Sequence, residues 1–296
     1  MPQNLKDKLR ETRELLDASL DKWLQLPDSL DKRVVEAMRY SAIGGGKAFR
    51  AFLILTVSSM YNVPQSQALN VATALEMLHS YSLIHDDLPA MDNDTMRRGK
   101  PTNHIQFDEA TAILAGDALL TNAFEALSDP STHPNAEIRS KLVSLLARLA
   151  GKSGMVGGQM IDLIGEKQPL TLSQIEQMQQ KKTGALLTFA SIAGAIMGQA
   201  PDEDIQALST YAKCIGLTFQ ITDDILDVTG DVALMGKTLG KDKEETKSTF
   251  VSLLGLDAAR KMAEDLMKKA DESISVFGDK ADLLSQANHF ILERNY

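Results

Sequence analysis

Apolar residues recur every three or four positions along most of the chain, which is the pattern of amphipathic helices. Between Leu5 and Trp23 they alternate with charged residues, and Pro27 ends this first helix. The same pattern predicts further helices over residues 34–41, 47–60, 64–87, 114–127, 138–149, 172–197, 205–228, 256–277 and 281–293. No segment of length shows the alternation of a β-strand, and no linker interrupts the pattern. The prediction is therefore an all-α fold, formed by a single domain over residues 1–296.

Composition narrows the class of protein. The 296 residues are 44% hydrophobic, enough for a large core, and the lone Cys214 excludes an internal disulfide framework. The first residues lack the apolar stretch of a signal peptide, and no apolar run approaches the roughly 20 residues of a membrane span. We therefore expect a cytoplasmic protein without membrane insertion.

Charge points to a small anionic ligand. The net charge of −9 argues against nucleic acid as a partner. Basic residues nevertheless gather beside the acidic motifs of the chain, which favours an anion bound at these places.

Two acidic clusters lie inside apolar helical segments. The first contains Asp86, Asp87 and Asp92, and the second runs from Asp223 through Asp224 to Asp227. Desolvated carboxylates are costly unless they are paired or bind metal, and oxygen-only ligands favour Mg²⁺. We expect the two clusters to face each other and to bind magnesium; a solvated acidic turn is the alternative for either cluster alone.

Local geometry supports a concave site. Asp86 and Asp92 would point apart on a regular helix, but Pro89 should break the helix and return Asp92 toward Asp86. In the second cluster Gln220 and the three aspartates follow i, i+3, i+4 and i+7, which forms one polar stripe on an otherwise apolar helix. This stripe should face an internal cavity.

Several cations are placed to bind an anion. Lys47 and Arg50 follow the triple glycine 44–46, whose backbone permits φ > 0 and close approach. His79 lies in a polar stripe with Glu76 on the helix that leads to Asp86. Solvated surface cations and a structural histidine are the alternatives. Further basic candidates are Arg97 and Arg98 in a turn, Lys182 beside Thr183 on a helix, and Lys237 and Lys247 on a loop.

Other chemistries fit less well. A di-iron bundle needs a second Glu-x-x-His unit, a calcium loop lacks its glycine, and the spacing of a phosphate-binding P-loop is missing. A Lys-Thr-Gly triplet is present, but the Ser-Asp-Asn that would complete a serine acyl-transfer site is not.

These motifs together resemble the trans-isoprenyl diphosphate synthases, most closely the bacterial farnesyl diphosphate synthases. The resemblance is carried by Gly45-Gly46-Lys47 with Arg50, His79, the stretch 86–92 with Arg97-Arg98, Gly116-Asp117, Gly158-Gln159, Lys182-Thr183-Gly184, Phe219-Gln220, the stretch 223–227 and Gly236-Lys237. It implies a large helical bundle around a central cavity, usually a homodimer. This chain departs from the family at Ala48 and Ala51, where Arg and Pro are common, and at Phe250-Val251, where Tyr-Pro is frequent.

The resemblance also implies roles for single residues. Isopentenyl diphosphate would be bound by Lys47, Arg50, His79 and Arg98. Three magnesium ions per substrate-bound site would be held by Asp86, Asp92 and Asp223, supported by Asp87, Asp224 and Asp227. The allylic diphosphate would be bound by Arg97, Lys182, Thr183, Gln220, Lys237 and Lys247, of which Lys182, Thr183, Gln220 and Lys237 also serve catalysis.

The expected activity is a magnesium-dependent condensation of isopentenyl diphosphate with dimethylallyl and then geranyl diphosphate. Tyr81, five residues before the first aspartate, would close the bottom of the cavity and limit the product to C15. Ser82 would leave space on its own side of the cavity. Geranyl diphosphate synthase is the alternative for product length. A terpene cyclase and a non-catalytic synthase subunit are alternatives for function.

Overall fold

The computed structural model describes residues 3–229 and 248–292, and within them the chain is almost entirely helical. This confirms the predicted all-α fold. The helices are α1 Gln3–Trp23, α2 Lys32–Ala42, α3 Phe49–Met60, α4 Gln65–Asp86, α5 Asn103–Gln106, α6 Glu109–Ser128, α7 Ala136–Ala150, α8 Met155–Gly165, α9 Leu172–Gln179, α10 Ala185–Met197, α11 Asp202–Thr229, α12 Phe250–Leu254, α13 Leu256–Ile274 and α14 Asp282–Leu292.

Several local features differ from the predicted elements, and helix α8 was not predicted. The segment 172–197 is interrupted by a π-helical turn at Gln180–Gly184, and a 3₁₀ segment, Ser275–Ala281, precedes α14. Strands β1 Met96–Arg97 and β2 Lys100–Pro101 form a two-residue-long hairpin where the sequence predicted only a turn.

The chain divides into two compact units. The N-terminal unit comprises Asp7–Val143 and Ile196–Gln199. In it α4 packs chiefly against α3 and α6, and residues 71–78 are buried at every position. A helix that is apolar on nearly all faces is stable only when surrounded in this way. The end of α4, which carries the first acidic cluster, is thereby held firmly.

The C-terminal unit takes in the described residues of Met1–Lys6, Ser144–Ala195 and Ala200–Tyr296. Its α11 packs along α13, and Leu217, Ile221 and Phe250 are buried in one apolar cluster. Each large side chain buried in this way contributes roughly 1.5–3 kcal/mol. This packing fixes the face of α11 that carries the second acidic cluster. The predicted single domain over 1–296 stays a prediction.

Among the described residues, no helix combines the length and apolar character that crossing a membrane requires.

Candidate active site

The first acidic cluster begins where α4 ends. The helix stops at Asp86, and the backbone N–H of Asp92 donates to the carbonyl of Asp86 at 2.9 Å. Pro89 lies in the intervening turn, where it cannot continue the helical hydrogen bonds. The predicted return of Asp92 to Asp86 is therefore confirmed for the backbone.

Asp87 has a different environment from its neighbours. Its side chain is buried, and Arg97 donates to it from Nε at 2.7 Å and from Nη2 at 2.7 Å. Burial raises the pKa of the Asp87 carboxyl, although the hydrogen bond and charge of Arg97 oppose this. Burial alone would lower the pKa of Arg97, but the bond to Asp87 raises it. The cluster is thus tied to the β1–β2 hairpin by a charge-assisted pair.

The hairpin presents Arg98 to the glycine loop, residues 44–46. Arg97 pairs with Lys100, so Arg98 and Gly99 form the two-residue turn, at φ 53° and 74°. A Cβ added at Gly45 would lie 2.0 Å from Arg98 Nη1, and one at Gly46 would lie 2.9 Å from Nη2. Both positions therefore need glycine for the guanidinium to approach.

Arg50 and His79, which the resemblance assigns to one diphosphate, meet within the N-terminal unit. Arg50 Nη1 lies 3.4 Å from His79 Nε2. Burial lowers the pKa of His79 well below its ordinary value, and the positive charges of Arg50 and Arg98 lower it further. A guanidinium only donates, so this contact requires an unprotonated Nε2. His79 is therefore neutral near pH 7.

The buried acid Glu76 opposes the positive charge of these basic groups. Burial lowers the pKa of Arg50, and Arg98 lowers it further, whereas Glu76 raises it. Burial likewise lowers the pKa of Arg98, and Glu76 opposes the shift. A cavity of about 80 Å³ is lined by Gly44, Gly45 and Arg98, among others. Arg97, Arg98 and Lys100 give this cavity a basic lining beside Asp87, whereas Arg50 and His79 are not among its lining residues. Lys47, which was predicted for the same anion site, is exposed.

The predicted chain-length residues lie one turn before the aspartates. The ring of Tyr81 packs edge-on to His85, with centroids 5.1 Å apart. Ser82 donates to the carbonyl of His79 at 2.8 Å. Gly116 of α6 leaves space for the His85 ring, since a Cβ there would lie 2.2 Å from Nε2. Tyr81 is therefore held by a packed neighbour.

The second acidic cluster lies along α11 in the C-terminal unit. Gln220, Asp223, Asp224 and Asp227 are all half-buried, whereas Ile221 on another face is buried. Asp224 accepts a hydrogen bond from the backbone N–H of Phe250 at 2.8 Å. Asp224 thus anchors the start of α12.

Lys182 and Thr183 lie in the π-helical turn. The Lys182 ammonium donates to Asp162 Oδ2 of α8 at 2.6 Å. A Cβ at Gly158 would lie 2.2 Å from the backbone N of Lys182, and one at Gly216 would lie 3.1 Å from Gly184 Cα. The π-helical turn therefore packs closely against Gly158 and Gly216. Such turns frequently occur at functional sites.

The donor set fits magnesium. In the described part of the chain no three acidic, histidine or cysteine side chains form a ready-made metal cage. Magnesium does not require one, because one or two carboxylates with waters and substrate phosphates commonly suffice. Asp86 and Asp92 share one backbone turn, and Asp223 and Asp227 are four residues apart on α11. The carboxylates of each pair would hold magnesium, and this assignment stays a prediction.

Some predicted residues lie outside this geometry. Lys237 and Lys247 fall outside the described residues, as does the C-terminal Arg294. The two acidic clusters belong to different units, so their facing each other stays a prediction.

Three charged residues with structural contacts here were not predicted for the site. Arg13 and Asp17 of α1 contact the glycine loop, and Asp162 binds Lys182. Arg13 and Asp17 are four residues apart, the spacing of a helical ion pair, which is the one sequence signal that relates them.

The arrangement defines a class of protein. Two aspartate clusters on helices, with basic side chains beside them, are suited to binding and departure of a diphosphate. The polyprenyl synthetase family model matches residues 31–282, and the chain belongs to this family of trans-prenyl synthases.

Individual relatives are similar in sequence to this chain over nearly its whole length. The chain is 44% identical to farnesyl diphosphate synthase of Micrococcus luteus over 291 residues, covering 98% of this chain and 99% of the relative. It is 42% identical to geranylgeranyl diphosphate synthase of Cyanophora paradoxa over 293 residues, covering 99% and 97%. A crystal structure of an FPP/GFPP synthase from Zymomonas mobilis superposes with a TM-score of 0.91 at 44% identity, covering 99% and 100%.

Proposed function

We propose that this prenyltransferase uses magnesium to condense isopentenyl diphosphate with dimethylallyl and then geranyl diphosphate, giving farnesyl diphosphate. The observation that carries the proposal is the basic site of Arg50, His79 and Arg98. It provides an anion site in addition to the aspartates. A condensing enzyme needs two diphosphate sites, whereas a terpene cyclase ionises one substrate and needs only one.

Different residues would bind the two substrates. Arg50, Arg98 and Lys47 would bind the diphosphate of isopentenyl diphosphate, beside a neutral His79. Lys182 and Thr183 would bind the allylic diphosphate and stabilise its charge as the C–O bond breaks. The alkene of isopentenyl diphosphate then attacks the allylic cation, and the proton that is lost passes to the departed diphosphate. Magnesium, when bound, would neutralise diphosphate charge and so favour its departure.

The first experiment tests condensation directly. Purified protein is incubated with labelled isopentenyl diphosphate and each allylic primer, and the dephosphorylated products are separated by chromatography. We expect label in a C15 product. If isopentenyl diphosphate is not consumed while an allylic diphosphate is, the cyclase alternative holds. Protein that is inactive alone with magnesium and both substrates would instead support the non-catalytic subunit.

The metal assignment has its own test. Asp86→Asn and Asp223→Asn should each lower kcat on the order of a hundredfold, because charge stabilisation in the transition state is lost. Asp265→Asn, an exposed partner of Lys261, is the matched control and should leave kcat unchanged. Wild-type turnover that survives complete chelation would contradict the proposal.

Product length is the property on which the relatives' names differ, and Tyr81 tests it. Tyr81→Ala should remove the ring that packs on His85 and lengthen the product beyond C15. Ser82→Phe should shorten it to C10. A Tyr81→Ala variant that still stops at C15 would show that another residue limits the chain.

We also propose a homodimer. Light scattering should give twice the 32.3 kDa of one chain; a value of 32.3 kDa would exclude a stable dimer.

A further inference from the structure

Arg13 of α1 donates hydrogen bonds that fix the glycine loop, residues 44–46. Its Nη1 donates to the carbonyl of Gly45 at 2.6 Å and to Glu76 Oε1 at 3.3 Å. Its Nη2 donates to Asp17 Oδ1 at 2.5 Å. The Arg13 side chain is 14% exposed and that of Glu76 is 5% exposed. A guanidinium with this many fixed acceptors is positioned far more firmly than a surface arginine.

Asp17 supplies the second support of the loop. Its Oδ1 accepts from the backbone N–H of Gly44 at 2.9 Å as well as from Arg13. The loop is thus fixed at the backbone N–H of Gly44 and at the carbonyl of Gly45. Glycine has the largest backbone freedom of any residue, so three glycines in succession need such external bonds to hold one conformation.

The loop in turn determines where Arg98 lies. The Arg98 guanidinium packs against Gly45 and Gly46 so closely that a single Cβ would displace it. The contacts therefore run from α1 through the loop to a predicted diphosphate-binding cation. Arg13 and Asp17 precede the matched family segment, which begins at residue 31.

We propose that Arg13 and Asp17 are positioning residues for the isopentenyl diphosphate site, acting through the glycine loop on Arg98. The inference rests on the proposed function, because that function assigns Arg98 its ligand. Arg13 and Asp17 touch no substrate themselves. Glu76 completes the arrangement as the buried acceptor that keeps Arg13 turned toward the loop.

Arg13→Met tests the proposal, because it keeps the aliphatic stem and removes the donors. We expect the KM for isopentenyl diphosphate to rise about tenfold, as for the loss of one well-formed charged hydrogen bond. The KM for the allylic substrate and kcat should stay within about twofold. Arg13→Lys, which can reach one acceptor but not all three, should recover part of the loss.

Arg10→Met is the matched control. Arg10 lies on the same helix, is exposed and contacts Asp7 only at the surface. It should leave both KM values unchanged. If Arg13→Met behaves like Arg10→Met, or raises both KM values equally, the proposal is wrong.

Two further measurements separate the possible failures. If Arg13→Met does not fold, judged by thermal unfolding, Asp17→Ala carries the same test. It removes the acceptor of the Gly44 N–H and of Arg13 Nη2, but leaves Arg13 its acceptors on Gly45 and Glu76. If the wild type does not consume isopentenyl diphosphate, the proposed function fails, and the positioning role is judged by binding of inorganic diphosphate and amide exchange at residues 44–46. Faster exchange and weaker binding in Arg13→Met support the role; unchanged values overturn it.

Discussion

Adding one methyl group at Gly158 should sharply lower activity. A Cβ there would lie 2.2 Å from the backbone N of Lys182 and 2.7 Å from its Cα. Ordinary van der Waals contact begins at 3.4 Å, so the π-helical turn or α8 must move by about 1.2 Å. The obstructing atoms belong to the backbone, so no side-chain rotation relieves the clash.

The displacement should affect turnover and stability differently. A shift of about 1 Å in a substrate-positioning group lowers the rate on the order of a hundredfold. Overpacking of this kind costs about 1–3 kcal/mol of folding free energy. Gly158→Ala should therefore lose kcat through misplaced Lys182 and Thr183 while remaining folded. Initial rates of condensation measure the first effect, and urea unfolding measures the second.

Gly165→Ala in the same helix is the control. Its Cβ would meet only the side chain of Leu170, at 2.9 Å from Cδ1 and 3.3 Å from Cγ, and no backbone atom, so a small side-chain shift accommodates it. Rates and stability should stay near those of the wild type. If Gly158→Ala retains full turnover and stability, the seating of the π-helical turn on α8 is not what positions Lys182.

Two further perturbations follow from the pKa shifts. His79 has a folded pKa well below its ordinary 6.5, so the unfolded chain takes up the proton first as pH falls below that value. The wild type should therefore lose about 1.4 kcal/mol of unfolding free energy between pH 8 and pH 5.5 relative to His79→Gln, measured by urea titration; parallel pH profiles would contradict this. Arg97→Met leaves Asp87 buried without its ion pair and should cost about 3 kcal/mol at pH 7. Because the pKa of Asp87 would rise further, stability should fall as pH rises from 4 to 7; a flat profile would show that Asp87 finds another partner.

The helices were predictable because burial imposes a 3.6-residue period on the sequence. The π-helical turn was not, since Lys182 and Thr183 continue that period unchanged and only the fit against Gly158 and Gly216 reveals it. Helix α8 was missed because its two adjacent glycines are poor helix formers, and packing overrides that preference here.

The site was predictable where its residues are neighbours along the chain. The turn between Asp86 and Asp92 follows from Pro89 alone. Arg13 and Glu76 are 63 residues apart, and nothing in either segment indicates the other. Such a contact exists only after α1 and α4 have packed, so local pattern cannot reveal it.

The turn at Arg98 and Gly99 places function and stability in opposition. Hairpins of this type favour Asn-Gly, because both central residues need φ > 0 and an ordinary side chain resists it. Arg98 adopts φ 53° nonetheless, at a cost of about 1 kcal/mol. Stability-guided redesign would accordingly favour asparagine here. It would gain folding free energy and discard the guanidinium, so screens for thermostability should be paired with a substrate-affinity screen at this position.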